Sequence, residues 1–448
     1  MRSSRHSNKY LIMYKISKLK NGLTLLKVPL KGTQSVTVLV LFPVGSRYET
    51  KDYAGAAHFV EHMIFKGTEK RPLATDISRT LDALGADYNA FTSKDYTGYY
   101  IKIAQEKQEV AFDILSDVIY HSTFAAAEIE KEKGAIVEEL RMYKDNPGMA
   151  IDMLFDKLMF GDTPLGWDIG GSESTVRSFT RDQLSSYYQA HYSPKNTLLV
   201  VAGAFGASAE KKIASYFGES PAKGGSASGG KNILDHKKSF AHFEWPKKDL
   251  PLAERIMAEE KKLDQANLII GFPGLENDHP DRYAASILLN ILGGGMSSRL
   301  FVEVREKRGL AYMVRAGSTS FRDVGVASVQ AGLDPSRLSE ALQVIKAEIE
   351  RIAKEPVTAQ ELENAKTNLA GRLALSLEDS STQAEWYGKQ FLFNKKIRLP
   401  KGVVGNINKV TIKDVQRLAK QFFIMSEMRL AIIGPLSKAV VIDMVSKL

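Results

Sequence analysis

The apolar and polar positions of the first half of the chain predict strands followed by helices. A run of β-branched and apolar residues at 36–42 is typical of a buried strand. Before this run, Asn21-Gly22 is the dipeptide that best marks a hairpin turn. The same kinds of pattern predict the other elements of this half: strands 87–92, 97–103 and 196–202, and helices 54–65, 72–84, 108–121, 125–143 and 207–217.

The pattern restarts after a segment rich in glycine and serine. Residues 218–240, which open with GESPAKGGSASGGK, have the composition of a flexible linker. We therefore predict two similar domains, residues 1–217 and 241–448, that arose by a weak internal duplication. Strands and helices that occur in runs favour α+β domains, here with helices on one face of a largely antiparallel sheet. The elements predicted beyond the linker are strands 266–272, 325–330 and 428–433, and helices 281–292, 336–353, 358–375, 380–393 and 438–447.

The composition excludes several kinds of functional site and argues against a membrane span and nucleic-acid binding. The 448 residues include no cysteine, which excludes disulfides, thiolate metal sites and thiol nucleophiles. Because no run of roughly 18 apolar residues occurs, we expect no membrane span. The net charge of +9 comes without a dense Lys/Arg tract, so nucleic-acid binding is not expected, although the charge could favour acidic peptides. The first residues of the chain are basic, which is compatible with a transit peptide. We expect instead that Met13 is the initiator methionine.

The stretch His58-Phe59-Val60-Glu61-His62 carries the clearest candidate chemistry. On a helix, residues four apart lie on one face, so both imidazoles can point at one metal ion. Glu61 reaches the same face, where a carboxylate can take a proton from water. The flanking residues predict a buried helix, and burying three ionisable groups without a partner is costly. We therefore interpret this stretch as half of a catalytic zinc site.

A catalytic zinc site needs a third protein ligand, and without cysteine this ligand must be His, Asp or Glu. The best candidate region is the predicted helix at 128–145. There Glu132 and Glu139 lie two turns apart and share a face, whereas Glu138 points about 100° away from Glu139. The spacing alone does not choose between Glu138 and Glu139.

Three motifs of the first half resemble the pitrilysin/insulinase family of zinc peptidases, the inverzincins. They are GSRYE at 45–49, GAAHFVEHMIFKGTEKR at 55–71 and EKGAIVEELRMYKDNP at 132–147. Bacterial processing proteases and mitochondrial processing peptidase form the most similar branch, and the resemblance extends from about residue 18 to the end of the chain. It implies two similar α+β domains that close like a clam around a chamber.

The resemblance also implies roles for residues of the first half. One zinc ion per chain would be held by His58, His62 and Glu139. Glu61 would be the general base, and Glu132 would be a second carboxylate that supports catalysis.

Further roles come from an edge strand and from the second half. The segment LGGGMSSRLFVEVREKRGLAYMV is highly characteristic of the family, in which an Arg and a Tyr seven residues apart bind the substrate and stabilise the transition state. These correspond to Arg305 and Tyr312. Asn89, Ala90 and Phe91 correspond to the edge strand on which family members bind an extended peptide.

The resemblance implies a zinc-dependent metalloendopeptidase that hydrolyses unfolded or extended peptides, with a processing peptidase as its specific form. Peptide substrates are the expected partners, and a homodimer or a self-sufficient monomer is expected because one chain carries both the zinc motif and the Arg/Tyr pair. A cytoplasmic location of the bacterial type is expected in preference to the mitochondrial matrix. The alternative is a non-catalytic assembly subunit, as in the core proteins of the respiratory cytochrome complex, which share this fold.

Overall fold

A computed structural model describes residues 14–218, 240–246, 250–394 and 396–448 of the chain. We call residues 14–218 the first half and the described residues from 240 onward the second half. The predicted linker at 218–240, apart from its two end residues, and the expected initiator Met13 lie outside the described residues.

The first half contains a six-stranded sheet. Its strands are β1 Lys15–Lys18, β2 Thr24–Pro29, β3 Ser35–Phe42, β4 Asp87–Thr92, β5 Thr97–Ala104 and β6 Leu198–Gly203. They lie in the order β1-β2-β6-β3-β5-β4, and only the pair β2 and β6 is parallel. The β1–β2 hairpin confirms the turn predicted at Asn21-Gly22, where Gly22 adopts a φ of 94° that favours glycine. β4 is an edge strand of this sheet.

The second half repeats this topology with five strands. They are β7 Ile256–Glu260, β8 Ala266–Gly274, β9 Ala311–Ser320, β10 Gly325–Leu333 and β11 Arg429–Gly434, in the order β7-β11-β8-β10-β9. Only β7 and β11 are parallel, as are their counterparts β2 and β6. The edge strand β9 therefore occupies the position that β4 has in the first half.

Fifteen α-helices lie in the described ranges. Those of the first half are α1 Ala56–Ile64, α2 Ala74–Ala83, α3 Gln108–His121, α4 Ala126–Asp145, α5 Pro147–Phe160, α6 Glu173–Ser178, α7 Arg181–His191 and α8 Ala209–Phe217. Those of the second half are α9 Arg282–Gly293, α10 Leu338–Lys354, α11 Ala359–Ser376, α12 Ser380–Asn394, α13 Pro400–Lys409, α14 Ile412–Phe422 and α15 Lys438–Ser446. No helix in this described part of the chain combines the length and apolarity that crossing a membrane requires.

Each half contributes one helix to the sheet of the other half. The first-half helix α5 packs on β8 and β11, where Ile151, Phe155 and Met159 join a cluster with Ile269 and Ile433. Conversely, the second-half helix α12 packs on β3 and β6 of the first half. Helices α5 and α12 therefore hold the two halves together, because each is buried against the sheet of the opposite half.

The predicted α+β class, with two similar and mostly antiparallel sheets, is confirmed. The expectation that helices cover only one face of each sheet was wrong. In β3 the residues Val38 and Val40 face the core of their own half, while Leu39 and Leu41 face α12. A strand that is apolar on both faces needs cover on both, and the helix of the opposite half supplies the second cover.

Candidate metal centre and cavity

Helix α1 places the two histidines of the HFVEH stretch side by side. Its apolar residues Phe59, Val60 and Ile64 are buried, which anchors the helix in the core of the first half. His58 and His62 lie one turn apart on the remaining face, with 4.6 Å between their ring centroids. The predicted buried helix and the shared face of the two imidazoles are both confirmed.

Helix α4 brings Glu139 to the histidines. Its Oε2 lies 3.6 Å from Nε2 of His58 and 3.3 Å from Nε2 of His62. One ligand atom from each of these three residues can be chosen so that all lie within 4.8 Å of one another. Glu138, the other candidate by spacing, is 71% exposed and pairs with Arg141 instead. The structure therefore brings Glu139, and not Glu138, to the HFVEH helix.

Two further side chains orient these groups. Oε2 of Glu132 lies 3.0 Å from Nδ1 of His62, which leaves Nε2 of His62 facing Glu139. The hydroxyl of Tyr143 donates to Oε1 of Glu139 at 2.6 Å, which leaves Oε2 facing the histidines. Tyr143 was not singled out from the sequence, although its position four residues after Glu139 on one helix was a usable signal.

The electrostatics of His58, His62 and Glu139 suit the binding of a cation. Burial, together with the neighbouring His62, lowers the pKa of His58 to about 4. For His62, burial alone would lower the pKa, but hydrogen bonds to Glu132 and Glu139 raise it to about 9. The hydrogen bond from His62 lowers the pKa of Glu139 to about 2, against the effect of burial. A carboxylate between two imidazoles is a donor set that suits a cation.

Glu61 faces the same space from α1. Burial raises the pKa of its carboxyl group, and a hydrogen bond from Thr92 opposes that shift. The hydroxyl of Thr92, at the end of β4, donates to Oε2 of Glu61 at 2.5 Å. Helix and edge strand are thus connected at the carboxylate that the sequence proposed as a base.

These residues line a cavity of about 970 Å³. Its walls come from α1, α2, β4, α4, α5 and residues 167–170. Three carboxylates, Asp152, Asp156 and Asp168, also line the cavity, together with Lys94 of the β4–β5 turn. Burial raises the pKa of Asp156 to about 6, although Lys94 opposes the shift. The chain as a whole carries a net positive charge, but carboxyl groups are prominent in the lining of this cavity.

The edge strand β4 forms one side of the cavity. Asn89, Ala90 and Phe91 all line it, as does Thr92. The backbone N–H of Ala90 is engaged by Oδ1 of Asn89 at 2.8 Å. An edge strand beside a cavity offers backbone groups to an extended peptide.

Arg305 and Tyr312 lie together but outside this cavity. The guanidinium of Arg305 donates to the backbone carbonyl of Tyr312 at 2.7 Å and lies over the rings of Phe301 and Tyr312. Tyr312 is 75% exposed at the start of β9. Neither residue is among the cavity-lining side chains of the first half. Arg299, which lies in the same segment of the sequence, pairs with Glu361 at 2.7 Å.

Comparison with known proteins agrees with this arrangement. The family model described as "Insulinase (Peptidase family M16)" matches residues 28–172, and the model described as "Peptidase M16 inactive domain" matches residues 178–369. The chain is 35% identical to YmxG of Bacillus subtilis, named an uncharacterized zinc protease, over 93% of this chain and 97% of that protein. The chain belongs to peptidase family M16.

Two further proteins are similar to this chain over most of its length. An uncharacterized zinc protease of Streptomyces coelicolor is 36% identical over 93% of this chain and 89% of that protein. The crystal structure of a protease from Helicobacter pylori superposes with a TM-score of 0.84 at 25% identity, covering 94% of this chain and 99% of the other. The resemblance stated from the motifs is thus confirmed at the level of the M16 family, and the relatives are named as zinc proteases.

Proposed function

We propose that this chain is a zinc-dependent endopeptidase that cleaves extended peptides. The observation that carries the proposal is the convergence of His58, His62 and Glu139 at the wall of a cavity that an edge strand borders. Membership in a family whose relatives are named zinc proteases supports it.

The donor set fits zinc. Two imidazole nitrogens and one carboxylate oxygen are a typical set of three protein ligands for catalytic zinc. The Nδ1 atom of His62 and Oε1 of Glu139 are engaged by Glu132 and Tyr143, so the atoms that face inward are those available for a metal. Zinc held by these residues would supply a Lewis acid that polarises a peptide carbonyl and makes water easier to deprotonate.

Glu61 is proposed as the residue that moves the proton. A buried carboxyl group with a raised pKa is better matched to proton transfer near neutral pH than an exposed one. It would take the proton of the attacking water and deliver it to the nitrogen of the departing amine. The hydrogen bond from Thr92 fixes one of its oxygens, which limits the rotation of the carboxylate.

The edge strand is proposed to hold the substrate. A peptide that adds to β4 as a further strand would be bound through its backbone, at Asn89, Ala90 and Phe91, with little dependence on side chains. Selectivity would then come from α5, whose residues Asp152 and Asp156 line the same cavity and favour a basic residue of the peptide.

Arg305 and Tyr312 are proposed to assist from the second half. Both can donate hydrogen bonds to a developing oxyanion. Since neither lines the cavity in this arrangement, their contribution requires the halves to approach each other. Because one chain carries all of these residues, a single type of subunit suffices, and a homodimer stays a prediction.

Digestion of a peptide library by the zinc-loaded chain tests the proposal. We expect cleavage of unstructured peptides that a chelator abolishes and added zinc restores. Glu61→Gln should retain zinc and lose about 10²- to 10⁴-fold in kcat, the usual contribution of a general base. Full activity in Glu61→Gln would contradict the assigned mechanism, and less than one zinc per chain would favour the non-catalytic alternative.

A further inference from the structure

A short turn before α1 contacts three separate parts of the molecule. The turn comprises residues Ser46–Tyr48 of the GSRYE motif. Its backbone is bonded to the β4–β5 turn, since the N–H groups of Ser46 and Arg47 donate to the carbonyls of Ser93 and Lys94 at 3.2 and 2.9 Å. The strand that borders the cavity is therefore fixed to this turn directly.

Glu49, which follows the turn, caps the helix that carries both histidines. Helix α1 begins after Gly55, which provides no capping side chain. Instead, the two oxygens of Glu49 accept from the backbone N–H groups of Gly55 and Ala57, at 2.8 and 2.7 Å. Glu49 is only 6% exposed, so water does not replace these bonds readily. Ala57 directly precedes His58, and the cap therefore sets the first turn from which His58 projects.

Arg47 connects the same turn to the second half. Its side chain is 1% exposed and lies 2.6 Å from the carboxylate of Asp323, in the β9–β10 turn. It also lies 3.5 Å from Asp95 of the first half and stacks over the ring of Phe240 at 4.0 Å. A guanidinium that bridges two carboxylates and an aromatic face has one preferred orientation, which Lys cannot reproduce.

We propose that Arg47 and Glu49 are positioning residues that couple the placement of the second half to the orientation of the site helix α1. The contacts run from Asp323 through Arg47 and the turn Ser46–Tyr48 to Glu49, and from there to the first turn of α1. They connect β9, which carries Tyr312, to the helix that carries His58. This inference rests on the proposed function for its catalytic meaning, but the coupling itself is a property of the chain.

Hydrogen–deuterium exchange of the full-length chain tests the coupling. The informative variant is Asp323→Asn, which removes one charge from the second half without changing the shape of the side chain. The matched control is Asp281→Asn, which breaks a similar 2.6 Å pair with Arg417 in that same half. The exchange rates of α1 and of β11 are compared in each variant, with Glu49→Gln as the variant at the other end of the series of contacts.

We expect Asp323→Asn and Glu49→Gln each to speed exchange in α1 by about 10-fold while β11 is unchanged, because only the local opening of α1 is affected. The double variant should exchange no faster than Glu49→Gln alone, since both changes break one series of contacts. Asp281→Asn should leave α1 as it is. If Asp323→Asn does not fold, Arg47→Lys replaces it with the same expectation.

Unchanged exchange of α1 in Asp323→Asn would overturn the inference. Equal acceleration of α1 and β11 would also overturn it, since that pattern indicates a general loss of stability. The zinc affinity of each variant gives the functional consequence, with weaker binding expected where α1 exchanges faster. If the unaltered chain binds no zinc and cleaves no peptide, the proposed function fails, whereas the exchange rates still decide on the coupling.

Discussion

The two halves of this molecule share one topology but differ in the helix that follows the central strand. In the first half, α1 follows β3 and presents His58, Glu61 and His62 to a cavity. In the second half, α9 follows β8, the counterpart of β3. Residues of α9 such as Ile287 and Leu288 are apolar and are buried in the core of this half. The same topology thus occurs twice, and of these two corresponding helices only α1 presents ionisable side chains to the cavity.

The helices that cross between the halves differ in the same way. On the first-half sheet, α12 buries Ala384 and Tyr387. Helix α5 also has a buried apolar face, on the second-half sheet, but its other face carries Asp152 and Asp156 into the cavity. One crossing helix therefore only joins the halves, whereas the other also shapes the site.

The largest effect that tests this asymmetry is loss of the third ligand. Glu139→Gln should remove zinc and lower kcat/KM by at least about 10³-fold, because two histidines do not hold catalytic zinc. Glu138→Gln is the matched control, since this exposed neighbour pairs with Arg141, and it should change kcat/KM less than about twofold. The zinc content of the purified variants and their steady-state kinetics measure both expectations. Equal losses in the two variants would contradict the assignment of Glu139.

The second half is tested next through Tyr312→Phe. If its hydroxyl stabilises the oxyanion, kcat should fall about 10²-fold, as when one donor of an oxyanion hole is removed, while the zinc content is unchanged. Arg308→Gln is the control, since Arg308 is held on the surface by Glu303. An unaltered kcat in Tyr312→Phe would mean that the hydroxyl of Tyr312 does not stabilise the oxyanion, and Arg305 would then be the proposed donor from the second half.

Sequence patterns predicted individual helices and strands well, but they predicted poorly which residues lie close together in the fold. The strands predicted at 87–92 and 97–103 and the four-residue spacing in α1 depend on local sequence, and both were confirmed. The choice between Glu138 and Glu139 depends on the rotation of α4 against α1, which spacing does not contain. Asp152 and Asp156 were missed because α5 was not predicted, and because which sheet it covers is a tertiary fact.

The crossing helices offer a test of stability rather than chemistry. A Cβ atom at Gly388 of α12 would lie 2.7 Å from Cδ1 of Leu41 and 3.1 Å from Cγ2 of Val200. At Gly371 of α11, in contrast, a Cβ atom meets nothing within 4 Å. Both positions gain helix propensity on change to alanine, so the difference between the two variants isolates the packing cost.

We expect Gly388→Ala to be less stable to unfolding than Gly371→Ala by about 1–3 kcal/mol, the usual cost of overpacking a core. Urea unfolding of both variants measures this difference. Equal midpoints would show that the contact of α12 with the first-half sheet is loose enough to absorb a methyl group.

The smallest expected effect is a pH dependence of selectivity at α5. The carboxyl group of Asp156 faces Lys94, Asp152 and Asp168, and burial raises its pKa to about 6. It is therefore neutral below pH 6 and ionised above, so the preference for a basic over a neutral peptide residue should rise through that range. Between about pH 4 and 6, Asp156 keeps its proton in the folded state and releases it in the unfolded state. Its contribution to the free energy of unfolding therefore decreases as the pH rises from about 4 to 6.

The ratio of kcat/KM for two peptides that differ in one Lys or Gln measures the preference. We expect the ratio to increase about threefold to tenfold between pH 5 and 7, as a single partly exposed charge pair allows. Asp156→Asn should make the ratio independent of pH. Asp162→Asn, which alters an exposed carboxylate paired with Lys51, should leave the rise intact. A rise that persists in Asp156→Asn would assign the preference to another carboxylate of the cavity, such as Asp152 or Asp168.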